Sequence, residues 1–280
     1  MDLTTLFGII SGIGLIIFAI FAKEGAANYF WDYPSLLLVL GGTLAATFVN
    51  YPFKVVWRVF KVLKNVFKRE KLKYEEVIDQ FVKLSDKVRK NSIVSLEEDL
   101  PNIEDAFMRN GLELAINEKN PDRLRNYLQL ELSNMRKRHQ LGQEIFFYMG
   151  TYAPAFGMVG TIIGLIVMLK NFTVSTGVAG GIDALLETIN FDITAQFKEL
   201  LGGMGMALLT TFYGLILANL LFIPIGGKLK RRSEEEIMLK EVMIEGILCL
   251  HNREHPLIVK EKLITFVPMK EREKETLNNV

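Results

Sequence analysis

Small and hydroxyl-bearing residues recur at helical spacing in two apolar segments of the chain that carry no charge. In the first segment, Pro154 and Thr161 alternate with glycines at steps of three or four residues. In the second, Thr210 is spaced in the same way from small residues, with Thr211 beside it. Helix positions three or four apart share one face. Threonine hydroxyls, and carbonyls that a proline leaves free, are oxygen ligands for water or a small cation. The pattern is therefore typical of a polar path between membrane helices.

Plain helix packing explains the same residues and, on spacing alone, is the simpler interpretation. Gly160 and Gly164 have the small-xxx-small spacing that lets two helix backbones approach closely. A membrane threonine can donate back to its own backbone. Pro154 and Pro224 each leave the carbonyl four residues earlier without its helical partner, yet prolines are common in membrane helices.

Charge is segregated along the chain of 280 residues, although 23% of them are charged. It avoids four apolar runs, which are Leu3–Ala22, Tyr33–Phe53, Ile145–Leu169 and Leu200–Gly227. Each run can cross a hydrocarbon core of about 30 Å, which needs about 20 residues. The sequence therefore predicts an all-α, polytopic membrane protein with four transmembrane helices and a helical cytoplasmic domain.

The same pattern predicts four consecutive regions. Residues 1–53 form transmembrane helices one and two, 54–144 a cytoplasmic helical domain, 145–227 helices three and four with an exported-side loop at 170–199, and 228–280 C-terminal cytoplasmic helices with a charged tail. Lysine and arginine concentrate after the second and fourth runs. The positive-inside rule therefore places both termini in the cytoplasm.

A basic amphipathic helix is expected directly after the second run. From Lys54 to Lys68 the apolar positions recur at helical spacing, and lysines with Arg58 fill the other face. Such a helix suits the surface of an anionic membrane. Packing on the cytoplasmic domain is the equally good alternative.

The four runs contain no Asp, Glu, Lys, Arg or His, which are the residues that proton relays and ion pumps ordinarily use. If the chain moves ions, a partner must supply the titratable group. The single cysteine, Cys249, excludes an internal disulfide framework, and the three histidines are scattered. We expect neither a conventional enzyme nor a metal site or cofactor, and the net charge of +1 gives no indication of nucleic acid binding.

Residues 153–165, APAFGMVGTIIGL, and residues 206–214, MALLTTFYG, form two specific motifs. They resemble the third and fourth transmembrane helices of the MotA/PomA family of flagellar stator proteins. The resemblance extends over nearly the whole chain. The related TolQ/ExbB energisers share the pore-helix plan but lack this four-span order with a large cytoplasmic insert.

The resemblance implies a complete ion-driven machine in the bacterial cytoplasmic (inner) membrane. Five copies of the chain would surround two copies of a MotB/PomB-type partner, whose membrane helix carries the essential aspartate. Inward flow of H⁺ or Na⁺ would turn the ring against the rotor protein FliG. The ion pathway would include Pro154, Thr161, Thr210, Thr211 and Pro224. By the same comparison, the threonine at position 161 favours sodium, and proton coupling stays open.

The resemblance also assigns two charges to the rotor contact. The family has an arginine followed eight residues later by a glutamate in a Ser-Leu-Glu motif, which here gives Arg89 and Glu97. On spacing alone such a pair is an ordinary solvated surface. The segment Thr173–Glu199 departs from the family, whose third and fourth helices are joined by a shorter loop.

Two other classes of function remain alternatives at the sequence level. One is a TolQ/ExbB-like energiser of a non-flagellar envelope machine. The other is a membrane scaffold that conducts no ions. The Arg89/Glu97 motif favours the stator over the energiser, and the identity of the partner's membrane helix separates all three.

Overall fold

The computed structural model describes residues 3–22, 30–66, 74–175 and 193–267, and every regular element in these ranges is helical. The prediction of an all-α protein is confirmed. The chain divides into two compact units. Unit 1 comprises residues 1–69 and 142–229, and unit 2 comprises residues 70–141 and 230–280.

Unit 1 contains three N-terminal helices, one further complete helix with a π-helical segment after it, and the apolar parts of two long helices. The bounds are α1 Leu3–Phe21, α2 Tyr33–Asn50, α3 Phe53–Val66, α6 Pro121–Ser175 and α7 Ile193–Ile216, followed by a π-helical segment Leu217–Phe222 and by α8 Ile223–His251. Helices α6 and α8 contribute residues to both units. The predicted boundary between residues 144 and 145 lies inside α6, so it is not a helix end.

Unit 2 is a cluster of shorter helices together with the remaining parts of α6 and α8. Its other elements are α4 Tyr74–Asn91, two 3₁₀ segments at Ile93–Glu98 and Leu100–Asn102, α5 Ala106–Asn117 and α9 Pro256–Ile264. The predicted break at Asn120-Pro121 is where α6 begins. There the side-chain oxygen of Asn120 accepts hydrogen bonds from the amides of Asp122 and Arg123 at 2.9 and 3.3 Å.

Three helical segments of the described chain are long and apolar enough to cross a membrane: Tyr33–Asn50, Pro121–Lys170 and Leu201–His251. The second includes the predicted run 145–169, and the third covers residues 201–227 of the predicted run 200–227. Helix α1 contributes a shorter apolar stretch, Phe7–Phe21. These helices suit a membrane-embedded protein, and the count of four spans stays a prediction.

The core of unit 1 forms where α2, α3, α6 and the π-helical region meet. Its buried members include Val39, Phe146, Met149, Ala153 and Phe222. Helix α3 adds Val59 to this core, and the ring of Phe60 lies 6.1 Å from that of Phe146. The apolar side of the basic helix is therefore occupied by unit 1 itself.

The core of unit 2 depends on two close approaches to glycine. A Cβ on Gly246 would stand 2.7 Å from the fully buried ring of Phe81, and one on Gly111 would stand 2.5 Å from Ile247. Side chains at these positions would push the helices apart. Cys249 lies in the same core, where burial raises the pKa of its thiol to about 12 and makes it unreactive in the folded state.

A nearly buried lysine joins α8 to the start of α5. The Lys240 ammonium, whose side chain is 9% exposed, lies 2.5 Å from Asp105 and over the ring of Phe107. Burial alone would raise the pKa of Asp105, but hydrogen bonds from Lys240 and the Met108 amide lower it below its ordinary value. Asp105 also caps α5, so one carboxylate stabilises a helix end and a buried cation.

Helix α8 ends in a Schellman motif that has arginine at the position where glycine is usual. The amide of Glu254 donates to the carbonyl of Cys249, and the amide of Arg253 donates to that of Leu250, both at 3.0 Å. Arg253 therefore adopts a φ of 55°. This left-handed conformation is unfavourable for a residue with a Cβ.

We expect Arg253→Gly to stabilise the protein by about 0.5–1 kcal/mol, because it removes the Cβ strain at little loss of contact from an exposed position. Because the chain has a single cysteine, labelling of Cys249 by a maleimide dye on heating measures the unfolding of unit 2. The labelling midpoint of the full-length protein should rise. In the neighbouring Asn252, which has no positive φ, the same change to glycine should lower the midpoint. A midpoint that falls in both variants would contradict the strain argument.

Candidate functional site

Helices α6 and α7 meet almost backbone to backbone. A Cβ on Gly160 would lie 2.5 Å from the side chain of Thr210, and one on Gly164 would lie 2.8 Å from the carbonyl oxygen of Gly203. A Cβ on Gly214 would lie 2.6 Å from the carbonyl oxygen of Ala153. Each distance is too short for a side chain. The small residues predicted at helical spacing therefore form the contact between these two helices.

The three threonines of the predicted ion pathway differ in how open they are. Thr210 is fully buried against Gly160, whereas Thr161 and Thr211 are partly exposed. Each hydroxyl donates to the backbone of its own helix. The distances are 2.6 Å from Thr161 to the Met158 carbonyl, and 2.9 and 3.5 Å from Thr210 and Thr211 to the Ala207 carbonyl.

This back-bonding fits the packing interpretation, and it leaves the oxygens able to bind a cation. A hydroxyl that donates its one hydrogen retains two lone pairs for water or a metal ion. Thr161 and Thr211 can present oxygen at the open side of the helix pair, and Thr210 is enclosed within it.

The two prolines of the predicted pathway occupy different surroundings. Pro154 lies within α6 beside Gly214, where a Cβ on that glycine would be 3.2 Å from the proline Cα. Pro224 is exposed and follows the π-helical segment by two residues. In that segment the Ile223 amide donates to the Ala218 carbonyl, a wider turn than an α-helix makes. A widened turn gives room for a proline ring, which would otherwise press on the carbonyl four residues earlier.

Two polar residues of this region were missed at the sequence level. The hydroxyl of Tyr213 donates to the Phe30 carbonyl at 2.5 Å and accepts from the Asp32 amide at 3.1 Å, which fastens the start of α2 to α7. Asn219 lies exposed in the π-helical segment and donates to the Leu215 carbonyl at 3.0 Å. The signal for both was a polar side chain inside a charge-free run.

Arg89 and Glu97 lie in unit 2 on either side of a sharp corner, and both are exposed. Arg89 is in the last turn of α4, and Glu97 is near the end of the first 3₁₀ segment. No ion pair involves either residue within the described ranges. Their charges are therefore presented to solvent.

The corner itself is strained at Ser92. This residue has a φ of 128° and a ψ of 161°, a region that glycine adopts almost alone. Ser95 stabilises it, because its amide and its hydroxyl both donate to the Ser92 carbonyl, at 3.1 and 2.7 Å. The conformation of Ser92 thereby fixes the direction of the chain between Arg89 and Glu97.

An ion-pair brace spans the same corner. Lys87 of α4 lies 2.9 Å from Asp99 and 3.3 Å from Glu98. The hydrogen bond from Lys87 to Asp99 raises the pKa of the lysine despite the opposing effect of its partial burial, so it stays charged. Lys87 and Asp99 are about one-third exposed, whereas Glu98 is 82% exposed. The acidic residues that follow Glu97 thus pair with Lys87, whereas Glu97 is exposed and unpaired among the described residues.

Comparison with known proteins identifies the family of the chain. The sequence model of the MotA/TolQ/ExbB proton channel family matches residues 99–190 and 176–242. The chain is 33% identical to the uncharacterised protein YtxD of Bacillus subtilis, over 98% of this chain and 93% of that protein. It is 32% identical to Motility protein A of Borreliella burgdorferi, over 97% and 96% of the two chains.

A solved structure resembles the whole fold. The flagellar MotAB stator complex from Bacillus subtilis contains a chain that superimposes with a TM-score of 0.81 at 30% identity, covering 98% of this chain and 99% of that one. The resemblance inferred from residues 153–165 and 206–214 is confirmed. The chain belongs to the MotA/TolQ/ExbB proton channel family.

Proposed function

We propose that this chain is a flagellar stator subunit that couples inward flow of H⁺ or Na⁺ to torque on the rotor protein FliG. The full-length similarity to Motility protein A and to a MotAB stator structure carries the proposal. The names of those proteins describe their own function. This chain adds an independent feature, the absence of Asp, Glu, Lys, Arg and His from its four apolar runs.

In this proposal the titratable carboxylate comes from a MotB-type partner. Conduction of a cation across a membrane needs polar groups along the path. This chain offers oxygen from Thr161 and Thr211, and the enclosed hydroxyl of Thr210, but no side chain that changes its charge. A partner helix with an aspartate would complete such a path, and Pro154 and Pro224 would set the backbone on either side of the π-helical segment.

Assembly into a ring, with five copies around two partner chains, is supported by surfaces that one copy leaves open. Positions for a Cβ on Gly8, Gly14 and Gly41 have no atom within 4 Å in the described part of the chain. Asn219 is a polar group exposed on an otherwise apolar helix. Small residues and amides are usual at contacts between membrane helices, because small residues let the backbones approach closely and amides form hydrogen bonds between helices.

The rotor contact in this proposal is the strained corner of unit 2. Its backbone is fixed at Ser92 and braced by Lys87, so Arg89 and Glu97 project from a rigid base. Exposed charges contribute to specificity and encounter rate more than to affinity, which suits a contact that must form and break at each step.

The proposal is tested by expressing the chain together with candidate partner proteins in a host that lacks its own stator. Recovery of swimming, with copurification of a partner that has one aspartate-bearing membrane helix, is the expected result. Copurification with a partner that has no carboxylate in its membrane helix would favour the scaffold. Restoration of a non-flagellar envelope function without motility would favour the energiser.

Thr161→Val should lower ion-driven motility about tenfold at limiting ion concentration, because it removes a ligand oxygen and keeps the β-branched shape. Swimming speed in the stator-deficient host, measured across sodium concentrations at fixed pH, reads out the effect. Replacement of sodium by potassium distinguishes sodium coupling from proton coupling, because only sodium-driven swimming would stop.

Two matched variants control for packing at Thr161. Thr161→Ser retains the hydroxyl and should retain most of the activity. Thr151 is exposed on the same helix and donates to its own backbone in the same way, at 3.2 Å, so Thr151→Val should change nothing. Wild-type speed for Thr161→Val at every ion concentration would remove this residue from the ion path.

Combined reversal of the two corner charges, Arg89→Glu with Glu97→Arg, should reduce torque and leave ion conduction intact. Both side chains are exposed, so their reversal costs little stability. Torque is measured on tethered cells, and conduction by ion uptake into vesicles. Arg123→Glu, at an exposed position at the start of α6, is the control for surface charge in the same unit. Equal torque in all three proteins would leave Arg89 and Glu97 as ordinary surface residues.

A further inference from the structure

Helix α3 has two faces, and the apolar one is already covered. Val56 and Val59 are 1% and 9% exposed, and Phe60 packs edge-on against Phe146. An amphipathic helix usually lies on a membrane in order to bury such a face. Here the protein buries it, so any contact with a membrane must use the other side of the helix.

The exposed side of the helix carries two large aromatic rings, each more than half exposed. Phe53 and Trp57 are 64% and 57% exposed, and their rings are stacked with centroids 6.1 Å apart and planes inclined by 14°. Four residues separate them, so they lie in line along the helix. Exposed tryptophan and phenylalanine side by side are unusual on a surface that faces only water.

This aromatic row continues onto the candidate span α2. Phe48 is 42% exposed, and its ring lies 5.5 Å from that of Phe53. The adjacent Val49 is 91% exposed at the end of the same apolar helix. The surface that α2 offers to lipid is therefore continuous with the aromatic side of α3. Tryptophan is also the residue most typical of the boundary between hydrocarbon and headgroups.

Cations flank the aromatic row along its whole described length. Lys54, Arg58 and Lys61 are exposed, and α3 contains no acidic residue. None of the three forms an ion pair with another described residue. The stripe thus combines rings that favour the membrane interface with positive charge that no acidic residue of the described ranges pairs.

We propose that the exposed stripe of α3, defined by Phe53, Lys54, Trp57, Arg58 and Lys61, is a binding surface for anionic phospholipid. The rings would insert at the level of the headgroups, and the three cations would contact lipid phosphates. This inference concerns unit 1 alone and does not depend on the proposed stator function. Each cation near an anionic surface contributes about fivefold, or about 1 kcal/mol, to lipid preference, so three give on the order of a hundredfold.

Trp57 is a built-in probe of this surface. The full-length chain has two tryptophans, so Trp31→Phe leaves Trp57 as the only one. The protein is placed in phosphatidylcholine nanodiscs that contain a small fraction of lipid spin-labelled near the headgroup. The labelled lipid is either phosphatidylglycerol or phosphatidylcholine. Labelled phosphatidylglycerol should quench Trp57 fluorescence at a far lower mole fraction than labelled phosphatidylcholine.

The decisive variant replaces Lys54, Arg58 and Lys61 with glutamine. In this variant both labelled lipids should quench Trp57 fluorescence equally. The rings still contact the membrane, but the cations that select anionic headgroups are gone. A control with Arg123, Lys137 and Arg138 changed to glutamine removes the same net charge from exposed positions of unit 2 and should keep the preference. Resistance of Cys249 to maleimide labelling verifies that each variant is folded.

Two results would overturn the proposal. Equal quenching of the unaltered stripe by both lipids would show a membrane contact without selection for anionic headgroups. Absence of quenching by either lipid would show that the stripe is covered by protein, for instance by a second copy of the chain.

Discussion

The arrangement of unit 1 depends on how closely α6 and α7 approach each other. Gly160, Gly164 and Gly214 face backbone atoms and the small side chains of Thr210 and Ala207. Lipid gives membrane helices no hydrophobic reason to associate, so contact at this range depends on dispersion and on small residues. One added methyl group at any of these positions would separate the pair.

Rigidity in unit 2 has a different physical origin. Its helices close over Phe81 and Ile247 through glycines, as in a water-soluble core, and burial drives their association. Its outer corner instead retains a strained serine and an ion-pair brace. Strain at a φ of 128° persists only where the surrounding bonds determine the conformation, and here Ser95 provides two of them. A site that must keep two charges in fixed directions benefits from such a corner more than from a flexible loop.

Much of this architecture could be predicted from the sequence, for identifiable reasons. Charge-free runs and the break at Asn120-Pro121 are local signals, so the helices and the start of α6 were found. The GxxxG pair Gly160/Gly164 was predicted to pack, and it does. The π-helical segment was not found, because a widened turn has no composition of its own, and Pro224 alone does not specify one. The positive φ of Ser92 was hidden because serine ordinarily avoids it. The brace at Lys87 joins residues 11 and 12 positions apart across a corner that sequence periodicity does not show.

The basic helix after α2 shows how a correct pattern can leave its meaning open. Its periodicity predicted two faces, and the sequence offered either lipid or protein as the partner of the helix. The structure assigns protein to the apolar face through Phe60 and Phe146. The helix can still contact the membrane through its exposed side, where Phe53 and Trp57 lie among the cations. Hydrophobicity alone does not show that these two rings are exposed, whereas their exposure makes them part of the charged surface. The two interpretations of α3 therefore apply to different sides of one helix, and they do not compete.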